Sequence, residues 1–394
     1  MTRSSDDPAR RGAWPVSASR PLVHPIQPSV VYVAESPDAL DDQYEGRASG
    51  YAYAREGHPN ASALAARIDA MEGAAGGVVT GSGMAAVAAV LLGLCRAGDH
   101  VLGADQRYGR SLRMLRDDLP RLGIETSLAD ATDGAAFAAA LRPNTRIALI
   151  EVVSNPTLRI ADLASISEAC KAKGVCLVID NTFTTPRALR PFEHGADIVL
   201  HSVTKLMAGH SDATLGYVAA RDPARTEAMR AFAITAGLTA SPFDCWLAER
   251  GLQSFALRYD RAETNAAALA DHLAGLPGVQ RVLYPGRADH PDHDRAAALL
   301  GRRGGTMVSF EVAGGRAAAN ALVRGARQLA FAPTLGDIAT TLSHPPSSSH
   351  RGLDPKARAA LGIGEGFFRV SVGCEDTETL LADFSQALEA VAGR

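Results

Sequence analysis

The sequence predicts an α/β fold in which a mostly parallel β-sheet carries helices on both faces, followed by a smaller α+β domain. Between residues 62 and 250, short apolar runs about the length of buried strands alternate with stretches of helical length. This alternation is typical of βαβ units and therefore of a parallel sheet. After residue 250 a long Ala-rich stretch and two amphipathic strand patterns follow, which indicates a separate α+β unit.

The individual elements follow from periodicity. Apolar side chains near a 3.6-residue period predict a helix over residues 62–72, and a short β-branched run with glycines separates it from a second helical pattern. Four apolar runs have the length of buried strands, at residues 100–105, 145–153, 175–180 and 196–203. In the last part of the chain we expect helices over 260–275 and 377–391 and strands over 305–312 and 367–373.

These patterns divide the chain into three parts. Residues 1–61 form an extended N-terminal arm, residues 62–250 a large domain and residues 251–394 a C-terminal domain. Residues 1–20 are predicted to be disordered. They contain Asp6 and Asp7 and no apolar core of the length found in signal peptides, so a leader sequence is not expected.

Composition excludes several classes of partner. The formal net charge of −3 provides no bulk attraction for nucleic acid or for an anionic membrane, and no apolar run is long enough to span a bilayer. The 5 cysteines form no CxxC pair, which is typical of a reduced, cytoplasmic protein without a structural metal site.

A glycine turn is the first feature that indicates chemistry. The run Gly81-Ser82-Gly83-Met84 joins a predicted strand to a helix, where free N–H groups and the helix dipole favour an anion such as phosphate. An ordinary tight turn explains the same letters.

The same turn also fits a dinucleotide-binding pattern. Gly81, Gly83 and Ala86 match G-x-G-x-x-A, and Asp105 follows the next strand at the distance expected of a ribose partner. An NAD(P)-dependent oxidoreductase is therefore an alternative.

Two further residues lie at the ends of predicted parallel strands, the edge at which open α/β sheets bind ligands. Asp180 could hold a protonated pyridine nitrogen, bind a metal or cap a turn. Lys205 stands beside the hydroxyls of Ser202 and Thr204, which suits a Schiff-base lysine near a phosphate, although most lysines are simply solvated. An anion-binding turn, a carboxylate and a lysine in this order favour pyridoxal 5′-phosphate (PLP) over a dinucleotide. A dinucleotide site would give Lys205 and its hydroxyl neighbours no role.

At these residues the sequence resembles the Cys/Met-metabolism (trans-sulfuration) family of fold-type I PLP enzymes. The family includes cystathionine lyases, cystathionine γ-synthase, methionine γ-lyase and homoserine-ester sulfhydrylases. The stretch from Val178 to Asp212 around Lys205 is close to the family signature, and shorter matches begin at Tyr53, Tyr108 and Arg369. The resemblance extends from about Pro21 to the C-terminus.

The resemblance implies a role for each matching residue. Lys205 forms the Schiff base, Asp180 contacts the pyridine nitrogen, and Tyr108 stacks on the ring and serves as an acid toward the leaving group. The remaining cofactor residues are Gly83, Met84, Ser202 and Thr204 at the phosphate, Asn155 near the ring hydroxyl, and Tyr53 and Arg55 reaching the phosphate of the neighbouring subunit. The substrate residues are Arg369 for the α-carboxylate, with Thr334, Arg113 and Asn155.

The family assembles as a homodimer or homotetramer with shared active sites, and we expect the same of this chain. The reaction is not settled by the motifs. Arg113 matches relatives that use cystathionine or homoserine esters, Arg110 stands where methionine γ-lyases have Cys, and Pro333 stands where cystathionine γ-lyases and γ-synthases often have Glu.

We therefore expect a carbon–sulfur lyase or transferase that performs γ-elimination or γ-replacement on a homoserine- or homocysteine-derived amino acid. Cystathionine β-lyase activity and γ-elimination from another γ-substituted amino acid are the alternatives. A PLP-binding protein without catalysis is a third class, against which the intact Lys205, Tyr108 and Arg369 argue.

Overall fold

The computed structural model describes residues 17–301 and 303–392. The predicted disorder of residues 1–20 falls mainly on residues 1–16, outside the described residues. No helix in the described ranges is long and apolar enough to cross a membrane.

The larger of two sheets contains seven strands in the order β1-β7-β6-β5-β4-β2-β3. Strands β2 to β6 run parallel to their neighbours within this group, whereas β7 is antiparallel to both β1 and β6. The strands are β1 (Val78–Thr80), β2 (His100–Ala104), β3 (Glu125–Ala129), β4 (Thr145–Glu151), β5 (Cys176–Asp180), β6 (Ile198–Ser202) and β7 (Gly216–Ala220).

Helices cover both faces of this sheet because successive strand residues point to opposite sides. Ile179 of β5 belongs to the same buried core as Phe137, and its neighbour Val178 belongs to the core that contains Val90. The helices are α1 (Pro37–Tyr44), α2 (Pro59–Glu72), α3 (Gly83–Leu94), α4 (Gly109–Arg113), α5 (Gly134–Ala139), α6 (Leu163–Lys173), α7 (Thr185–Ala188), α8 (Pro223–Thr235) and α9 (Pro242–Leu252). α4 continues into one π-helical turn, Met114–Asp118.

The C-terminal part forms a second sheet of five strands in the order β10-β11-β12-β9-β8, antiparallel except for the β10–β11 pair. Phe310 packs against Phe368 and Phe384, with ring centroids 5.6 and 6.2 Å apart. Its elements are α10 (Phe255–Ala274), β8 (Val279–Leu283), α11 (His293–Leu300), β9 (Met307–Val312), α12 (Gly315–Gly325), β10 (Ala330–Phe331), β11 (Thr341–Ser343), α13 (Pro355–Ala360), β12 (Phe367–Ser371) and α14 (Thr377–Ala392).

The described N-terminal segment lies along α9 and exposes apolar side chains. Trp246 of α9 donates its indole N–H to the carbonyl of His24 at 2.9 Å, and the His24 ring contacts the Glu249 carboxylate. Large apolar side chains in this segment are nevertheless more than half exposed, namely Leu22, Val23, Val30, Val31, Val33 and Tyr44.

The predicted fold class is confirmed: a mostly parallel sheet lies between helices, and a smaller sheet follows. The sequence did not indicate that β7 runs antiparallel. The connection from β6 to β7 contains turns and no helix, and a parallel return needs a crossover connection, usually a helix. β7 therefore pairs as the returning strand of a hairpin-like unit.

Candidate functional site

The ends of β4, β5 and β6 meet at one edge of the large sheet. The register pairs Glu151 with Asp180 and Asp180 with Leu200, two residues before the end of β6, so the carboxyl ends of the three strands lie side by side. Ser202 ends β6, and the turn that carries Lys205 follows directly. Parallel pairing thus brings together residues that the sequence separates by tens of positions.

Thr182 connects the ends of β5 and β6. Its backbone N–H and its hydroxyl donate to Oδ1 of Asp180 at 3.1 and 2.5 Å, and the hydroxyl oxygen accepts the N–H of Ser202 at 2.9 Å. Asp180 is thereby held in one orientation. Sequence analysis missed Thr182, although a hydroxyl two residues after a strand-end carboxylate is a common turn pattern.

The glycine turn packs directly against the end of β6. A Cβ atom added at Gly83 would lie 2.7 Å from Cβ of Ser202, so only glycine permits this approach. The hydroxyl of Ser82 caps α3 by accepting the N–H of Ala85 at 3.1 Å. The N–H groups of Gly83 and Met84, in the first turn of α3, have no partner within the helix.

The hydroxyls of Ser202 and Thr204 are used differently. Thr204 donates to the carbonyl of Leu215 at 3.1 Å and accepts the N–H of Leu215 at 2.9 Å, so its hydroxyl holds the chain that enters β7. The Ser202 hydroxyl makes no hydrogen bond within the described residues. Ser202 is therefore the freer of the two to bind an anion.

Lys205 lies in the turn after β6, and the C-terminal part of the chain covers it. Its Nζ lies 3.5 Å from Oγ1 of Thr334, and a Cβ atom at Gly336 would lie 2.4 Å from the backbone nitrogen of Leu206. Burial lowers the pKa of the lysine, and the nearby guanidinium of Arg369 lowers it further. Both causes favour the neutral, nucleophilic amine.

Arg369 of β12 is buried and joined to both parts of the chain. Its terminal nitrogens donate to Oδ1 of Asn155 at 2.9 Å and to the carbonyl of Thr334 at 2.8 Å. Its Nε is buried without a partner. Burial lowers the pKa of Arg369 to about 10, an effect that the carboxylate of Glu151 and the phenol of Tyr108 oppose. Asn155 is followed by a cis peptide bond to Pro156.

Glu151 is a buried carboxyl group that sequence analysis did not assign. It accepts the backbone N–H of Tyr108 at 2.8 Å and so positions the start of α4. Burial raises its pKa to about 8, as does the neighbouring Asp180, and the guanidinium of Arg107 opposes the rise. As the last residue of β4, Glu151 could have been found by the argument that selected Asp180.

Tyr108 itself is 42% exposed at the rim of this edge. The following residue, Gly109, touches the loop before α13, because a Cβ atom there would lie 2.0 Å from the carbonyl oxygen of Ser349. Met84 accepts a weak hydrogen bond from Ser111 at 3.7 Å, which ties α3 to α4.

Three predicted residues lie on the surface, away from the contacts around Lys205. Tyr53 is 41% exposed and carries the guanidinium of Arg55 over its ring, 5.3 Å from the centroid. Arg113 is exposed on α4, with Nε 3.9 Å from the carboxylate of Asp117. Neither pair contacts the Lys205 cluster within one described chain.

The described residues contain no group of three or more His, Cys, Asp or Glu side chains placed to hold a metal ion. The Asp105 carboxyl, which the dinucleotide alternative requires, has a pKa raised to about 6 by burial and by Asp130. That direction disfavours the charged form that would accept hydrogen bonds from a ribose.

Comparison with known proteins decides between these alternatives. Residues 11–389 match the family model described as Cys/Met metabolism PLP-dependent enzyme. An O-succinylhomoserine sulfhydrylase of Pseudomonas aeruginosa is 38% identical over 349 residues, covering 89% of this chain and 86% of that protein. A cystathionine gamma-lyase of Bacillus subtilis is 38% identical over 344 residues, covering 87% and 90%.

A solved structure agrees with these relatives. Cystathionine gamma synthase from Xanthomonas oryzae pv. oryzae in complex with cystathionine superposes with a TM-score of 0.88 at 38% identity, covering 94% of each chain. The predicted family, cofactor and enzyme class are thereby confirmed. The chain belongs to the Cys/Met metabolism family of PLP-dependent enzymes.

Proposed function

We propose that Lys205 binds PLP covalently and that the site catalyses elimination or replacement at the γ-carbon of a homoserine- or homocysteine-derived amino acid. One observation carries the proposal: Thr334 contacts both reactive groups. Its carbonyl accepts a hydrogen bond from Arg369, and its hydroxyl lies 3.5 Å from Nζ of Lys205. A cation that binds a carboxylate and a buried amine are thereby held beside one another.

The residues present fit the cofactor. The close approach of Gly83 to Ser202 leaves backbone N–H groups and a free hydroxyl for a phosphate. Asp180, fixed by Thr182, supplies a carboxylate for a pyridinium nitrogen. When bound, PLP withdraws electrons from the substrate α-carbon.

The protein side chains then orient the substrate and move its protons. Two of the five N–H donors of Arg369 are used within the chain, and the remaining ones, including the buried Nε, suit a bidentate carboxylate. Nζ of Lys205 is the group that takes the α-proton and returns it to the carbon skeleton. The Tyr108 phenol, at the rim, donates a proton to the leaving group.

The γ-carbon is favoured by the relatives and by Arg113. The two relatives described above are named for O-succinylhomoserine and for a gamma-lyase reaction on cystathionine. Arg113 is exposed and paired only loosely with Asp117, so a distal carboxylate of a substrate displaces a weak partner.

The site is completed in this proposal by a second copy of the chain. Tyr53 and Arg55 are exposed and do not reach Lys205 within one chain. They follow residues 22–44, the N-terminal segment whose large apolar side chains are exposed in the monomer. A dimer buries this segment and brings Tyr53 and Arg55 of one copy to the phosphate bound by the other.

The central claim is tested by borohydride reduction and peptide mapping, which we expect to locate the cofactor on Lys205. Lys205→Ala should bind PLP reversibly and lose turnover. A label that maps to another residue contradicts the proposal.

The reaction is tested with a substrate panel of cystathionine, methionine, homocysteine and the O-acetyl and O-succinyl esters of homoserine, with sulfide or cysteine as acceptors. Release of 2-oxobutanoate indicates γ-elimination, and a new thioether or thiol indicates γ-replacement. Pyruvate from cystathionine as the sole product indicates β-elimination and overturns the γ assignment.

A further inference from the structure

Arg258, in the first turn of α10, is a buried arginine whose hydrogen bonds end on the turn that carries Lys205. Its terminal nitrogens donate to the carbonyls of Leu206 at 2.8 Å and of Met207 at 3.0 Å. A third bond reaches the carbonyl of Gly251 at 2.8 Å, and Nε donates to the hydroxyl of Ser254 at 3.1 Å.

The turn needs such a partner. Residues 203–208 form turns and belong to no helix or strand. The turn hydrogen bonds here end on the carbonyls of Val203 and Lys205, and the backbone of the described residues supplies no donor to those of Leu206 and Met207. Leu206 and Met207 are 4% and 1% exposed, so their carbonyls lie away from bulk solvent. Buried carbonyls without partners are costly, and Arg258 satisfies two of them from one rigid group.

The backbone has been shaped around this guanidinium. Gly209 has a φ of +77°, and a Cβ atom there would lie 2.0 Å from a terminal nitrogen of Arg258. On the opposite side of the turn, Gly336 packs against the Lys205–Leu206 peptide, because a Cβ atom there would lie 2.4 Å from the Leu206 nitrogen. The Lys205 turn is thus held by Arg258 and by Gly336.

We infer that Arg258 is a positioning residue that fixes the turn bearing Lys205 and so sets where Nζ meets the cofactor. The inference rests on the proposed role of Lys205. It assigns to Arg258 no contact with the substrate or with the cofactor, because its polar atoms are occupied by the protein.

Loosening the turn should let Nζ move toward solvent. When Nζ is linked to the cofactor, the linking nitrogen would hold its proton more readily if it is less buried, so the pH midpoint of the visible absorbance of the bound cofactor should rise. The covalent link should also form more slowly, because the lysine samples more positions before reaction.

The test compares Arg258→Lys with Asn265→Ala in the holoenzyme. Asn265 lies on the same helix, is buried, and also donates to two backbone carbonyls, those of Gly373 and Glu375 at 3.0 and 2.9 Å. It therefore controls for a loss of helix docking that does not touch the Lys205 turn.

We expect Arg258→Lys to raise the absorbance midpoint by about one pH unit and to slow rebinding of PLP to the stripped enzyme about tenfold. Asn265→Ala should lower the melting temperature yet leave both readouts unchanged. Equal midpoints and rebinding rates in wild type and Arg258→Lys would make Arg258 a merely structural residue.

Gly209→Ala disturbs the same contact from the opposite side and serves if Arg258→Lys does not fold. It should move the midpoint in the same direction, and an unchanged midpoint overturns the inference. Failure of the function proposal is recognised separately, since the borohydride label of the wild-type enzyme would then not map to Lys205.

Discussion

At the scale of single residues, the site depends on charged groups that are buried beside one another. Arg369 and Glu151 are 6% and 7% exposed, and each changes the pKa of the other toward its charged form. Burial acts in the opposite direction on both. The fold thus holds the guanidinium that we propose for the substrate carboxylate beside a carboxyl group whose pKa is raised to about 8.

Arg369→Lys tests the carboxylate clamp. A lysine retains the charge but loses the planar fork that binds Asn155 and Thr334 and that we propose also binds a substrate carboxylate. We expect kcat/KM to fall about 10- to 100-fold, which corresponds to losing about 1.5–3 kcal/mol of charge-assisted hydrogen bonding. Arg316→Lys, at an exposed ion pair with Glu365, is the matched control and should leave kcat/KM unchanged.

Glu151→Gln tests the raised pKa. The folded state holds the pKa near 8, against an ordinary value of 4.5, so the protein loses stability as pH rises between these values. Gln cannot ionise, but its oxygen still accepts the Tyr108 N–H. The melting temperature of the variant minus that of wild type should therefore increase from pH 5 to pH 8 and stay constant above pH 8. A difference that is constant with pH contradicts the assignment.

At the scale of elements, the proposed phosphate site at Gly83, Met84 and Ser202 exists because α3 begins where β6 ends. The capping hydroxyl of Ser82 starts the helix, and Gly83 removes the side chain that would hold the two elements apart. The Thr182 hydroxyl joins β5 to β6 in the same region. The site is therefore a property of how three elements meet rather than of any one of them.

Gly83→Ala tests this meeting point. Alanine favours a helix more than glycine does, so helix propensity predicts a gain in stability. The added Cβ atom would nevertheless lie 2.7 Å from Cβ of Ser202, so the start of α3 must move away from the end of β6. We expect the Kd for PLP, measured by absorbance titration, to rise about tenfold or more. Gly275→Ala, whose nearest atom would be 3.6 Å away, should bind PLP as wild type does.

At the scale of the whole molecule, a single chain exposes apolar surface that the proposed dimer would bury. The apolar N-terminal segment has several large side chains in water, including Leu22 and Val33 at 101% and 98% exposure. Exposed apolar surface of this kind marks contacts with other proteins. Tyr53 and Arg55 follow within about ten residues of it along the chain, and the proposed dimer buries the segment and uses both side chains.

Subunit mixing tests the shared site. Arg55→Ala and Lys205→Ala should each be poorly active at limiting PLP, for different reasons. A mixed dimer contains one site with both native residues, so random reassociation should restore about one quarter of wild-type activity. If each chain builds its site alone, mixing restores nothing, and sedimentation of the mixture checks that exchange occurred.

Much of this fold and part of its site could be predicted from local pattern. The predicted strands at 175–180 and 196–203 correspond to β5 and β6. Asp180 ends β5, and Lys205 lies in the turn that follows β6. Hydrophobic periodicity and turn residues are local properties, so a single sequence is enough to recognise them. The direction of β7 was not predicted, because pairing depends on the connection as well as on the strand.

The sequence by itself determined the alternation of helices and strands, the placement of Lys205 and Asp180 at strand ends, and, through its motifs, the family and the cofactor. Only the tertiary structure joined Arg369 to Asn155, 214 positions apart, and placed Thr334 against both Arg369 and Lys205. The tertiary structure alone also showed that Glu151 accepts the backbone N–H of Tyr108 and that Arg258 donates to the turn that carries Lys205. The physical reason is that periodicity specifies which residues are buried, whereas the partner of a buried polar group depends on how distant elements pack.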